Sequence, residues 1–138
     1  MVTELATTSY VTSEPFEVAI ESLRQALSDV DLRIVAELDI AEHIYEKLMV
    51  GMAPCRIVLV TGPPEVCGEL VVDPRAAWAT PLHIVVAARS SRAEFHLLRA
   101  LPADIGPLDG STLRVLHHLQ ARTAQAVERI AMRSSLVS

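Results

Sequence analysis

Apolar and polar positions alternate over Leu32–Ile40, with Leu32, Ile34, Ala36 and Leu38 on one side and Arg33, Val35, Glu37 and Asp39 on the other. A period of two over that length predicts a half-buried strand with the first set facing the core. A weaker alternation over Thr7–Thr12 predicts an earlier strand. Between them Phe16, Ile20, Leu23 and Leu27 recur at three- and four-residue spacing, with Glu17, Glu21, Arg24 and Gln25 opposite, which predicts an amphipathic helix. Ser13 offers its N-cap and Pro15 its first turn. Ala41–Val50 repeats the helical spacing with Ile44 and Leu48 inward, and Gly51 suits its stop.

Ile57–Val60 contains no polar position, the pattern of a central strand covered on both faces. Gly62 with Pro63 and Pro64 then predicts a helix start, with Val66, Leu70 and Val71 on its buried side. Asp73-Pro74 ends that helix, because a residue before proline is driven out of the α region. Leu82–Ala88 and Ala93–Arg99 flank Ser90-Ser91 and predict a hairpin. From Ser111 to about Arg133, Leu113, Leu116, Leu119, Ala124, Val127 and Ile130 give a long helix a broad apolar face. The order β-α-β-α-β-α-β-β-α predicts a two-layer α+β domain, its sheet mixed or antiparallel, with the last helix packed on one face.

Length and composition fit one domain spanning residues 1–138, since 138 residues with 51% apolar content bury an adequate core. With one Trp, two Tyr and two Phe, few aromatics are available for stacking on single-stranded nucleic acid. A net charge of −5 opposes broad contact with a phosphate backbone, so no nucleic-acid partner is expected. The charge is uneven: residues 1–70 hold 12 acids and 4 bases, net −8, and residues 71–138 hold 5 acids and 8 bases, net +3. Such halves suit complementary faces of one fold or of a dimer. The preference for Arg over Lys and the abundance of Ala and Val match a GC-rich bacterial genome. No run reaches the roughly 18–20 apolar residues a bilayer span needs, and Met1–Thr8 lacks the basic and apolar regions of a signal peptide. Cys55 and Cys67 have no metal-type spacing and read as reduced thiols of a cytoplasmic protein.

Several phrases, in this order and spacing, resemble the small bacterial family called domain of unknown function 302. They are Pro15-Phe16, Ala36-Glu37-Leu38-Asp39-Ile40, Glu46-Lys47-Leu48, Pro54-Cys55-Arg56-Ile57, Pro63, Asp73-Pro74 and Pro81, and the likeness runs over about residues 10–132. The resemblance implies a curved sheet with a long C-terminal helix, similar to TATA-box-binding-protein-like domains, and a homodimer. It implies no settled activity. Members of that family typically carry Cys-Asn before the first helical proline and again after a later one. Here those places hold Thr61-Gly62 and Leu82-His83, so thiolate or soft-metal chemistry built on those cysteines is not expected.

Three places offer chemistry, each with a plainer alternative. Thr61-Gly62-Pro63-Pro64 resembles an anion-cradling helix start, but two prolines remove two N–H donors and Glu65 repels phosphate, which favours an ordinary helix start. An even-length turn at Ser90-Ser91 would set His83 opposite Leu98 and His96 opposite Val85, with His83, His96 and Glu94 on one sheet face. Two imidazoles and a carboxylate suit zinc or acid–base catalysis; the alternative is a polar outer face or a dimer rim. On the last helix, Arg114, His118, Arg122, Arg129 and Arg133 form a cationic stripe, either for an anion or partner or merely solvated. His117 lies beside the apolar stripe, either looking into a cavity against the sheet or sitting at its boundary. Serine nucleophiles find no support, since Ser90, Ser91 and Ser111 fall at turn or cap positions and no Gly-x-Ser-x-Gly elbow occurs. The leading expectation is a homodimeric small-molecule-binding module with its pocket between sheet and last helix, where Ala121, Ala124 and Ala131 leave room, and with Thr61, Arg114 and His117 as ligand contacts. An enzyme using His83, His96 and Glu94, and a dimer without ligand, are the alternatives; no cofactor is indicated.

Overall fold

A computed structural model describes residues 6–63, 82–99 and 110–137. Strand β1 (Ala6–Thr12) leads to helix α1 (Phe16–Asp29), strand β2 (Arg33–Asp39), helix α2 (Ile40–Leu48) and strand β3 (Cys55–Thr61). Strands β4 (Leu82–Arg89) and β5 (Arg92–Arg99) form the hairpin, and helix α3 (Gly110–Val137) follows. The helix expected after Gly62, with its stop at Asp73-Pro74, lies outside the described residues. The five strands form one sheet in the order β1-β5-β4-β3-β2. Every pairing is antiparallel, so the mixed directions that were one option do not occur among these strands. No described helix is long and apolar enough to cross a membrane.

The hairpin has the expected even turn. Arg89 faces Arg92 across Ser90-Ser91, and Ser90 adopts φ 58°, the positive value that a two-residue hairpin needs at a central position. Val85 therefore faces His96 and Val86 faces Phe95. Leu82, Ile84 and Val86 of β4, Ala93, Phe95 and Leu97 of β5, and Val58 and Val60 of β3 are all buried on one side of the sheet.

That side carries the two long helices. Helix α1 buries Phe16, Ala19, Ile20, Leu23, Ala26 and Leu27, an apolar stripe at helical spacing in which each large side chain stabilises the fold by roughly 1.5–3 kcal/mol. It begins at Phe16 with Pro15 in the cap position rather than Ser13, and the Thr12 hydroxyl accepts the Glu14 N–H at 3.2 Å. Helix α3 packs on α1 and along β1, burying Leu116, Leu119, Ala124, Ala126, Val127 and Ile130. Tyr10 on β1 donates its hydroxyl to Glu128 Oε1 at 3.1 Å, tying strand to helix. Buried Thr123 satisfies its hydroxyl on the Leu119 carbonyl at 2.7 Å.

The inward assignments of Ala36 and Leu38 on β2 and of Leu48 on α2 are overturned. The pairing of β2 with β3 shifts between Ile34 and Ala36, so Val35 forms a bulge. One extra residue reverses the side-chain alternation beyond it. Leu32 and Ile34 face the core as expected, but Leu38 is 48% exposed and Glu37 turns to the helix side opposite buried Val58. Helix α2 then follows directly, capped by Asp39, whose side chain accepts the Glu42 N–H at 2.9 Å. It ends at Leu48 with Met49 as its C-cap at φ 55°, two residues before Gly51. None of its residues is buried; Leu48, expected inward, is 64% exposed.

Candidate functional site on the helix-free sheet face

On the side of the sheet away from α1 and α3, the register assembles a hydrogen-bonded chain. Strand β1 pairs with β5 so that Ser9 faces His96 and Val11 faces Glu94. Glu94 and His96 are two apart on β5 and so share this face. Ser9 Oγ lies 2.8 Å from His96 Nδ1, and His96 Nε2 lies 3.1 Å from Glu94 Oε2. Arg89 Nη1 donates to Glu94 Oε1 at 3.1 Å. A carboxylate accepts hydrogen bonds and a hydroxyl can donate one, so this geometry suits the His96 tautomer with its proton on Nε2 and Nδ1 accepting from Ser9. The Glu94 side chain is 17% exposed, that of His96 32%, and Ser9 is open to solvent. Val11, Val85 and Ala87 frame the chain with apolar surface, continued across β3 by Ile57 and Leu59.

Glu94, His96 and His83 share this sheet face as expected, but His83 stands outside the hydrogen-bonded chain. His83 is exposed on β4, opposite Leu59 of β3. Among the described residues no three His, Cys, Asp or Glu side chains stand close enough to hold a metal ion. Ser9 takes the third place instead. Nothing in the sequence marked it, because a weakly alternating strand does not disclose which neighbour it will pair with.

The residues expected around a sheet–helix pocket lie elsewhere. Leu116, Leu119, Thr123 and Val127 set the inward stripe of α3, which leaves His117 and Ala121 exposed on its outer side. Arg114 is exposed and its Nε donates to the Gly110 carbonyl at 3.4 Å. Thr61 is half-buried at the end of β3, opposite Arg33. Between α3 and the sheet lie buried side chains of one apolar cluster, including Ile84, Phe95, Val127 and Ile130.

A second feature arises where β2 runs into α2: a groove of about 610 Å³ lined by Glu37, Leu38, Asp39, Ile40, Glu42, His43 and Glu46. Its carboxylates disfavour an anion. Two of them belong to an ionic network under α1. Arg24 reaches Glu37 with Nε and Nη2, both at 2.8 Å, and also pairs with Glu21. Arg56 lies 3.4 Å from Glu37, 3.6 Å from Asp39 and 5.6 Å from the centre of the Phe16 ring. The guanidinium of Arg24, followed by that of Arg56, holds the Glu37 carboxyl below its ordinary range, and Glu37 in turn raises Arg24. At the start of β3, burial and then the neighbouring Asp39 charge push the Cys55 thiol up, which suits an unreactive free thiol.

Comparison with known proteins supports the architecture. The fold is similar to the crystal structure of an uncharacterized conserved protein DUF302 from Bacillus stearothermophilus, with a TM-score of 0.77 and 16% sequence identity over 90% of this chain and 97% of that one. At that identity the likeness speaks for the fold alone. No curated protein matches the chain. The sequence model of the family described as "Domain of unknown function DUF302" matches residues 8–130, close to the span the resemblance had indicated, and the chain belongs to that family.

Proposed function

We propose that this protein is a homodimeric small-molecule-binding module whose ligand lies on the helix-free sheet face, over Ser9, His96 and Glu94. This reading takes the side of the sheet opposite α3, since His117 and Arg114 are exposed on that helix. The observation that carries the reading is the Ser9–His96–Glu94 chain set beside the apolar side chains of Val11, Val85 and Ala87. A few convergent polar groups within apolar walls are the usual make-up of a small-ligand site. The ligand class that fits is a neutral or weakly polar molecule with an apolar body and one carbonyl or hydroxyl group for Ser9 and His96. Thermal-shift screening of small esters and amides tests this. A ligand at a hundred times its Kd stabilises the folded state by about 2.7 kcal/mol, and His96→Ala is expected to remove most of the shift. An equal shift in both proteins would place the ligand elsewhere.

The same chain also favours an acid–base enzyme, in which His96 rather than His83 is the working imidazole. The second copy in the dimer is proposed to cover the outward side of α2, where Tyr45, Leu48 and Met49 are 53%, 64% and 72% exposed. The carboxylates around the α2 groove complement the exposed Arg114 and Arg129 of α3 in a partner. Sedimentation should give a dimer for the native chain and a folded monomer for Leu48→Asp; an unchanged dimer in that variant would move the interface off α2. The cytoplasm is the proposed compartment, in keeping with the free thiol of Cys55.

A further inference from the structure

Ser9 and His96 face one another across two strands, so a hydrogen bond between them requires no function on its own. The sense of the whole chain adds more. Arg89 donates to one oxygen of Glu94, the other oxygen lies 3.1 Å from His96 Nε2, and Nδ1 lies 2.8 Å from Ser9 Oγ; in the tautomer protonated at Nε2, the Nδ1 lone pair accepts the Ser9 hydroxyl. This is a nucleophile, a base and a group that orients the base, each within hydrogen-bond reach of the next. The nitrogens are exchanged relative to the familiar serine triad, in which the hydroxyl bonds Nε2 and the carboxylate Nδ1. Ser9 is also the exposed end of the chain, on an edge strand with β5 on one side only, so an incoming carbonyl meets the hydroxyl first.

We infer that Ser9 is a nucleophile activated by His96, with Glu94 as its positioning residue, and that the substrates are small carboxylic esters or thioesters with an apolar acyl group. The inference rests on the proposed ligand site on this sheet face and assigns it a reaction. Ser9 Oγ forms a bond to the acyl carbon as its proton passes to His96 Nδ1. The bond from that carbon to the leaving oxygen or sulfur breaks, and the leaving group takes the proton from His96. Water then attacks the acyl-serine, giving its proton to His96, and Ser9 recovers a proton as the carboxylic acid departs. No electrons are transferred, and water is the co-reactant. The uncharged walls formed by Val11, Val85 and Ala87 favour an apolar acyl chain over a charged one.

The experiment uses the full chain and p-nitrophenyl acetate. A burst of p-nitrophenolate is expected, with an acetyl group found on the Ser9 peptide by mass spectrometry. Ser9→Ala should show neither. His96→Gln should slow acylation by about 10²–10⁴-fold, the usual scale of general-base assistance. Glu94→Gln should lower kcat with little change in KM, because it misorients the imidazole without touching the ester; a merely structural role would not separate the two. Circular dichroism melts establish that each variant is folded, and the exposed Ser9→Ala keeps the assay decisive if a histidine or glutamate variant fails to fold. Acetylation elsewhere with Ser9 unmodified, or hydrolysis by Ser9→Ala at the native rate, overturns the inference. If Ser9 stays unmodified while a neutral ester still raises the melting temperature in a His96-dependent way, the nucleophile is lost and the binding site survives; if that shift is missing too, both fall.

Discussion

Phe95→Ala is expected to destabilise the protein by roughly 3–5 kcal/mol, the usual cost of emptying a buried aromatic site. Phe95 is fully buried on β5 between Tyr10 of β1 and Val86 of β4, beneath the helices. The loss is a large part of the roughly 5–15 kcal/mol that holds a domain of this kind together, and a melting temperature lower by about 10–20 °C follows. Val11→Ala is the matched control. Val11 stands on the opposite face of the neighbouring strand and is 53% exposed, so its loss should stay within about 0.5 kcal/mol. Chemical denaturation of the two variants measures the difference. Similar losses would mean that both sheet faces are covered in solution, which would remove the open face on which the proposed ligand site depends.

Glu37→Ala is expected to cost about 1.5–3 kcal/mol at neutral pH, the range for a hydrogen-bonded charged group. It removes the carboxylate that takes two 2.8 Å bonds from Arg24 and leaves Arg56, 17% exposed, with a weaker partner in Asp39. The pH dependence has a definite sign. The Glu37 carboxyl lies below its ordinary value of 4.5 in the folded protein, chiefly through the Arg24 hydrogen bonds. A carboxyl lowered by folding stabilises the native state above the unfolded value and stops doing so as pH falls through the folded value. Urea denaturation of native and Glu37→Ala proteins should therefore show a gap at pH 7 that narrows once the pH drops below 4.5. A gap independent of pH would show that packing of the Glu37 stem, rather than its charge, carries the effect.

The bulge at Val35 explains why this network was not legible beforehand. Strict alternation from Leu32 assigns Glu37 to solvent and Leu38 to the core. One inserted residue exchanges them, and a period-two pattern contains no term for an insertion that only pairing with β3 reveals. Helix α2 failed for a related reason. Its spacing identifies an amphipathic helix, but amphipathicity names an apolar side without saying that the same chain will cover it. The hairpin could be read because its partners are separated by two residues, so turn length alone sets the register of His96 and Glu94. The antiparallel placement of β1 beside β5, which brings Ser9 to His96, joins residues 87 positions apart, and no local rule reaches that far.

Local chemistry therefore settles the elements whose causes are local: the stripes of α1 and α3, and the hairpin with its two faces. Those follow from periodicity, turn geometry and residue identity, which act over a few positions at a time. Strand order, the reversal after Val35, the packing of α3 on α1 and β1 and the joining of Ser9 to His96 are properties of the packed chain. They depend on which distant surfaces exclude water together, and that choice is made by the whole domain at once.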